Sequence, residues 1–524
     1  MEGKKKVPEL TEDEPIEISG GVKMQLSDLV DSSPSGTFKD TMRDPPHPSE
    51  VTLQPVGDAT IEELTRWVET AHPKEIVADA LQKLEGGVPV RSLVAAACIA
   101  AARSCSLPAM GGHHGGPIHP ISGAHGVLRA TGILEEQLNG WASIPAMHLL
   151  VLVNKHINAP DGRRWGEEGN VPGGKWLRAG LVEISAPAEL SSEEAGAALL
   201  AALQQEDPEQ AERCLLAFLG PDAESAYARR GELMNILLRV SNAYNLFDDH
   251  YFNFPVYSYM TLDAIGWEFA PLLLRVCVRY LANEIVPPKG PDVEALRLQG
   301  DLRPPRSLFG RSSTGWEDLT AMVDDNPDLD LTTVSHSPLP NEERSVAALG
   351  DAIGHVERFV QIPPMIVNAV ANGLSLAGAG QALAIGSSEL VLRSPVGSPN
   401  AHVHFSTGAF ARRYLLRLDG VDARQKLLSL LTFVTGPEVL GVDLKEGDQA
   451  LSPKLFVPTA EDLERKSATT SPAEALLEIE SLVAGRRDRG LAAVKPHMKQ
   501  SRKAYVFHPT QFICYRIYSR TALC

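Results

Sequence analysis

Apolar side chains recur every three or four residues over most of this chain, the spacing that gathers them on one face of an α-helix. Past Asp58, Thr60-Ile-Glu-Glu63 has the form of a capping box, and Ile61, Leu64, Trp67 and Val68 follow at helical spacing. Pro89 to Arg103 is apolar nearly all round, which predicts a buried helix. Further helix starts are expected at Ser191-Ser-Glu-Glu194, Asp207-Pro208 and Ser471-Pro-Ala-Glu474, where a side-chain oxygen or a first-turn proline suits the orphan N–H groups. Glu224 to Leu246 is amphipathic, and Thr261 to Ala282 is apolar enough for a central helix kinked at Pro271. Between Val286 and Arg344 the period disappears into Pro- and Asp-rich sequence, then resumes from about Val346 to Ile385. Only AYVFHPTQFICYRIY, near the end, alternates like a strand.

These elements predict an all-α chain, a large helical domain with room for two pseudo-repeated helical halves and long irregular insertions. The expected divisions are an irregular N-terminal extension over 1–56, a first helical half over 57–285, a Pro-rich insertion or linker over 286–345, a second helical half over 346–485 and a basic tail over 486–524. The longest uncharged stretch, Phe359 to Ser388, carries Pro363, Pro364, Asn368, Asn372 and Gln381 and reads as a tightly packed helix pair rather than a membrane span. The glycines from Gly373 to Gly380 fit helix packing better than dinucleotide binding.

Composition sharpens this. Forty-nine Lys and Arg stand against 66 Asp and Glu in 524 residues, a net charge of −17, the wrong sign for gripping nucleic acid or an anionic membrane. The exception is Val494 to Cys524, with six basic and no acidic residues, read as a surface tail or partner contact. Six dispersed cysteines without a Cys-x-x-Cys point to a reducing compartment, and no apolar stretch follows the basic opening, so a cytoplasmic protein is expected. Phosphate-binding, nucleophile-elbow and zinc-protease motifs are missing.

Chemistry concentrates in three segments. The first holds four histidines in thirteen residues, His113, His114, His119 and His125, among glycines that let the backbone close around a bound group. Ser122 is expected to cap a helix, with His119 just before it and His125 in its first turn. The second, with His402 and His404, repeats the pattern: His119-Pro-Ile-Ser122-Gly-Ala matches His404-Phe-Ser-Thr407-Gly-Ala, each expected to open a helix. A helix N-terminus keeps a nearby imidazole neutral, the form that binds a metal or takes a proton. The third segment sets Asp248, Asp249 and His250 among aromatics, like a pocket wall with a polar centre. Together they predict catalytic His119, His404, His250 and Asp249. A transition metal (iron, zinc or copper) is expected on His113, His114, His119, His125, His402, His404 and His250. His148, His156 and His355 lie in helical patterns and read as structural.

His402-Val-His404-Phe-Ser-Thr407-Gly-Ala-Phe-Ala-Arg412, after a helical stretch from Asp351, resembles the late histidine segment of the questin oxidase-like family, with the first segment in the part of its early one. The resemblance covers two short windows. The His113-His114 turn and the Asp248-Asp249-His250 segment depart from the family pattern. It implies an all-helical monooxygenase that opens an aromatic polyketide ring by Baeyer–Villiger-type chemistry with NADPH, using His119 and His404 as base or ligand beside His250 and Asp249. The expected function is therefore a monooxygenase-like oxidoreductase acting on a hydrophobic small molecule at two helix N-termini. Two alternatives stay open: a metal-dependent hydrolase or lyase on the same residues, and a non-enzymatic helical scaffold that binds through its insertion and tail.

Overall fold

The computed structural model describes residues 16–18, 22–24, 56–104, 118–137, 142–157, 181–245, 249–282, 316–393 and 399–434, a few positions within these spans excepted. Apart from a short antiparallel hairpin pairing Ile16–Ile18 with Val22–Met24, the regular elements among them are helical. In chain order they are α1 (Ala59–Thr70), α2 (Ile76–Glu85), α3 (Val90–Ser104), α4 (Ile118–Gln137), α5 (Ile144–Ile157), α6 (Ser192–Gln205), α7 (Pro208–Leu219), α8 (Ala223–Ala228) and α9 (Arg230–Ser241). There follow α10 (His250–Ile265), α11 (Ala270–Ala282), α12 (Trp316–Asp324), α13 (Glu343–Gly354), α14 (Ile362–Ala371), α15 (Leu376–Arg393), α16 (Pro399–Arg417) and α17 (Ala423–Leu431). The all-α expectation holds. No helix among the described residues is long and apolar enough to cross a membrane.

Local chemistry explains most boundaries. Ser191 and Glu194 close a reciprocal capping box on α6, and the Asp207 side chain caps α7 with Pro208 in its first turn. On α1 the cap is Asp58, which accepts from the Ile61 N–H at 2.9 Å, and Thr60 lies inside the helix instead of capping it. A carboxylate two residues earlier supplies the acceptor first. The amphipathic run from Glu224 divides at Arg229 into α8 and α9. The expected central helix from Thr261 is also broken. Gly266, at φ +125°, turns the chain where an L side chain would be strained, and a 3-10 turn at Trp267–Phe269 precedes α11. Pro271 then sits in the first turn of α11, where its missing N–H costs nothing, and makes no kink. The strand-like tail and Ser471 fall outside the described residues.

Two hydrophobic cores result. The first gathers α1 to α11 around the fully buried stretch of α3 from Leu93 to Ala102. The second gathers α12 to α15 and α17. Part of the expected irregular insertion is thus ordered, because Leu319 and Val323 of α12 are buried in that second core. Helix α16 serves both, giving Ala411 and Leu415 to the first and Phe405, Ala409 and Leu416 to the second. The uncharged stretch forms α14 and α15, and the glycines of α15 are contact points, whereas Gly373, at φ +94° in open space, ends α14 instead of packing. A Cβ on Gly386 would stand 2.4 Å from Ile353, and one on Gly380 would meet Leu416. Cys98, Cys214 and Cys277 are free and buried, and burial pushes the Cys98 thiol up to about 12, so they behave as small hydrophobes.

Candidate functional site

Helix α10 is the meeting place of the histidine segments. It packs against α4 on one side and α16 on another, and side chains reach from it to backbone carbonyls of both: Thr261 donates to the Ile121 carbonyl at 2.6 Å, and the Tyr257 hydroxyl to the Thr407 carbonyl at 2.8 Å. Such sequence-distant bonds fix the axial register of three helices at once.

That register brings two imidazoles face to edge. His119 Nε2 and His250 Nε2 are 3.2 Å apart, with ring centroids at 5.2 Å and an interplanar angle of 80°. His119 is exposed and His250 half-buried. Without a metal one nitrogen must donate and the other accept, so the pair shares a proton. With one, both lone pairs turn inward; nitrogens at about 2.0–2.1 Å from a tetrahedral ion stand about 3.3 Å apart, close to what is seen. The separation thus suits either a shared proton or two of the ligands of one ion.

Both histidines lie in the first turns of helices, but neither Ser122 nor Thr407 is a cap. α4 begins at Ile118 and includes His119, and α16 begins at Pro399, so His402 and His404 are already helical. The reason is proline chemistry: Pro120 and Pro399 fall in first turns, where orphan N–H groups are not needed and φ is preset. The two helix N-termini that meet belong to α4 and α10, where the motif repeat had pointed to α4 and α16. The side chains of His402 and His404 are outside the described residues, as are His113, His114 and Asp248.

Asp249 does not join the histidines as a reacting carboxylate. It is buried and forms a two-pronged ion pair with the fully buried Arg412 of α16, Nη1 to Oδ2 at 2.8 Å and Nη2 to Oδ1 at 3.2 Å. Asn245 donates to the same carboxylate. The guanidinium also donates to the carbonyls of Gly408 and Ser429 and to the Thr432 hydroxyl, between the rings of Phe252 at 4.1 Å and Phe433 at 5.4 Å. Gly408 is required here, since a Cβ would stand 2.5 Å from Asp249 Oδ2. Asp249 adopts φ +58°, a left-handed conformation costing about 1–2 kcal/mol that the ion pair holds in place. Because it directly precedes His250, this clamp sets where α10 starts and where that imidazole points.

His125 is separated from the pair. Six residues along a 3.6-residue helix turn it about 120° from His119, into a stack on Tyr257 at 5.1 Å and Phe410 at 6.0 Å. The residue as a whole is half-buried, but its Nδ1 is sealed from solvent, and burial pushes the imidazole down to about 4 against a weaker pull from the Ser122 carbonyl. The sign follows: between pH 6.5 and 4 the unfolded chain carries a proton that the folded chain refuses. His125 therefore leaves stability intact above about 6.5 and removes up to about 3 kcal/mol as pH falls through that window. His125→Phe, which keeps the stack, is expected to flatten this part of the pH–stability curve, measured by denaturant unfolding from pH 7 to 4. Parallel curves for the two proteins would show that the ring titrates freely.

Sequence pattern alone does not single out Arg412, though its i,i+4 spacing from Gly408 puts both on one helix face. The aromatics around His250 do not form the expected pocket wall. Tyr251, Phe252, Phe254, Tyr257 and Tyr259 are instead buried, Tyr251 and Phe254 against Tyr280 and Tyr259 against Trp267. His148 is exposed on α5. His355, read as structural, is exposed between Glu389 (3.3 Å) and Asp351 (3.5 Å), a three-donor cluster that the helical Asp351-x-x-x-His355 spacing signals.

No family model matches the chain, and neither a curated protein nor a solved structure matches it.

Proposed function

We propose that this chain is an enzyme, a monooxygenase-like oxidoreductase that acts on a hydrophobic small molecule at the His119–His250 pair. The observation that carries the site is the 3.2 Å approach of two Nε2 atoms in the first turns of two helices, one on an exposed residue and the other anchored beside a buried ion pair. Two neutral imidazoles suit iron, copper or zinc, and such an ion would supply Lewis acidity or electron transfer. The protein's own part is to hold the imidazoles in register through Asp249 and Arg412. His119, on the solvent side, can also pass a proton to or from the reacting group. The oxidative character is supported by the questin oxidase-like resemblance of the two histidine windows. NADPH finds no fit of the usual kind, since the described residues hold no parallel sheet with a Gly-rich turn to cradle its diphosphate.

A metal-dependent hydrolase or lyase at the same pair is the second reading, favoured by an Nε2 separation that suits tetrahedral zinc. Metal analysis and the visible absorption spectrum of the purified protein divide the two. An iron or copper band lost in both His119→Ala and His250→Ala supports the oxidative reading. Stoichiometric zinc without a band moves the assignment to hydrolysis or elimination. A folded protein that holds no metal and ignores both substitutions overturns the two enzyme readings and leaves a helical scaffold.

A further inference from the structure

A cavity of about 510 Å³ lies away from the histidine pair, between the loop that follows α12, the start of α15 and the turn joining α16 to α17. Its wall includes His336, Ser337, Arg417, Asp419, Asp422 and Lys426. Lys426 is the unusual member. It is buried, yet among the described residues its Nζ has no carboxylate within ion-pair distance; it donates to the Leu416 carbonyl at 3.0 Å and meets His336 Nδ1 at 3.1 Å. An ammonium has three donors, so these contacts leave one N–H for the cavity that the residue lines.

The surroundings favour a free amine. Burial pushes Lys426 down to about 8, with Asp419 pulling the other way; the ring of His336, an exposed residue, is lowered by partial desolvation and by the facing Lys426 against a weaker pull from Asp422. At pH 7 such a lysine carries roughly 300-fold more free amine than an ordinary one. The neighbouring imidazole is neutral and can accept its proton. A desolvated amine beside a proton acceptor, facing a half-open cleft, is the arrangement that nucleophilic lysines need.

We propose that Lys426 and His336 form a carbonyl-binding site, in which Lys426 condenses with a small hydroxyl-bearing aldehyde or ketone to an imine. The Nζ lone pair forms a bond to the carbonyl carbon while the C=O π electrons move to oxygen, and His336 carries the first of the two Nζ protons to that oxygen to give a carbinolamine. His336 then accepts the second Nζ proton and delivers it to the hydroxyl, which leaves as water as the C=N bond forms. Amine plus carbonyl gives imine plus water, and no oxidant or reductant is consumed. Ser337, Asp419 and Asp422 on the wall supply hydrogen-bond partners for substrate hydroxyls. The site shares no residue with the His119–His250 pair and stands or falls separately from it.

The full-length protein is treated with glycolaldehyde and cyanoborohydride at pH 7, which reduces any imine to a stable secondary amine, and each lysine is followed by peptide mass spectrometry. Lys426 is expected to label at least about tenfold faster than the exposed Lys74. His336→Ala is expected to slow Lys426 alone, and free imidazole to restore part of the rate. Labelling of Lys426 at or below the Lys74 rate, or labelling indifferent to His336→Ala, overturns the proposal. Neither readout requires a Lys426 variant to fold.

Discussion

Arg412→Ala is expected to cost about 3–5 kcal/mol of stability, because it removes one partner of a buried ion pair and strands the other. The Asp249 carboxylate would keep Asn245 as a donor but lose two charged bonds, in a position with almost no access to water. The substitution also empties the space between Phe252 and Phe433 and leaves the carbonyls of Gly408 and Ser429 without their guanidinium donor. Denaturant unfolding measures the loss. Arg412→Lys keeps the charge but not the planar fork, and should fall between wild type and Arg412→Ala. The double variant Asp249→Asn/Arg412→Leu should lose less than the sum of its singles, since each single strands a buried charge and the double leaves none. A cost below about 1 kcal/mol for Arg412→Ala would place the pair among weak surface bridges and remove it as the anchor of α10.

The second large effect concerns binding. His119→Ala and His250→Ala are each expected to lower the affinity for copper(II) at least about 100-fold, since even the outer partners of metal ligands are worth 10–100-fold. The double variant should bind no worse than either single, because one imidazole alone does not make the site. Folding stability should move little, as His119 is exposed and His250 half-buried. Isothermal titration at pH 7 separates these outcomes, and unchanged affinity in either variant would exclude its imidazole from the site. If the pair instead works by proton transfer, turnover and not metal affinity falls, by about 10²–10⁴ in each variant. Arg412→Ala touches neither ring, yet should weaken copper binding in parallel with His250→Ala, because it releases the residue that sets where α10 begins.

The sequence carried the fold class, the buried character of α3, the caps of α6 and α7, and the packing role of the glycines in α15. Each is local: a 3.6-residue period or a side chain within one turn of an orphan N–H decides it, and both can be read along the chain. The sequence also marked His119 and His250 as chemistry-bearing residues, since four histidines among glycines and an acidic pair among aromatics are rare compositions. It misplaced the helix starts, because prolines allowed α4 and α16 to begin before their serine and threonine.

Partnership was decided by the tertiary structure. His119 meets His250 across 131 positions, Asp249 meets Arg412 across 163, and Lys426 meets His336 across 90. The motif repeat suggested His119 with His404, but which helix ends meet depends on how α4, α10 and α16 pack, and that follows from the shape of whole helix faces. An arginine or lysine is written the same way whether it is solvated or sealed inside. Only the packing of α16 against α10 and α17 reveals that Arg412 and Lys426 are buried, and burial makes one an anchor and loosens the other's hold on its proton.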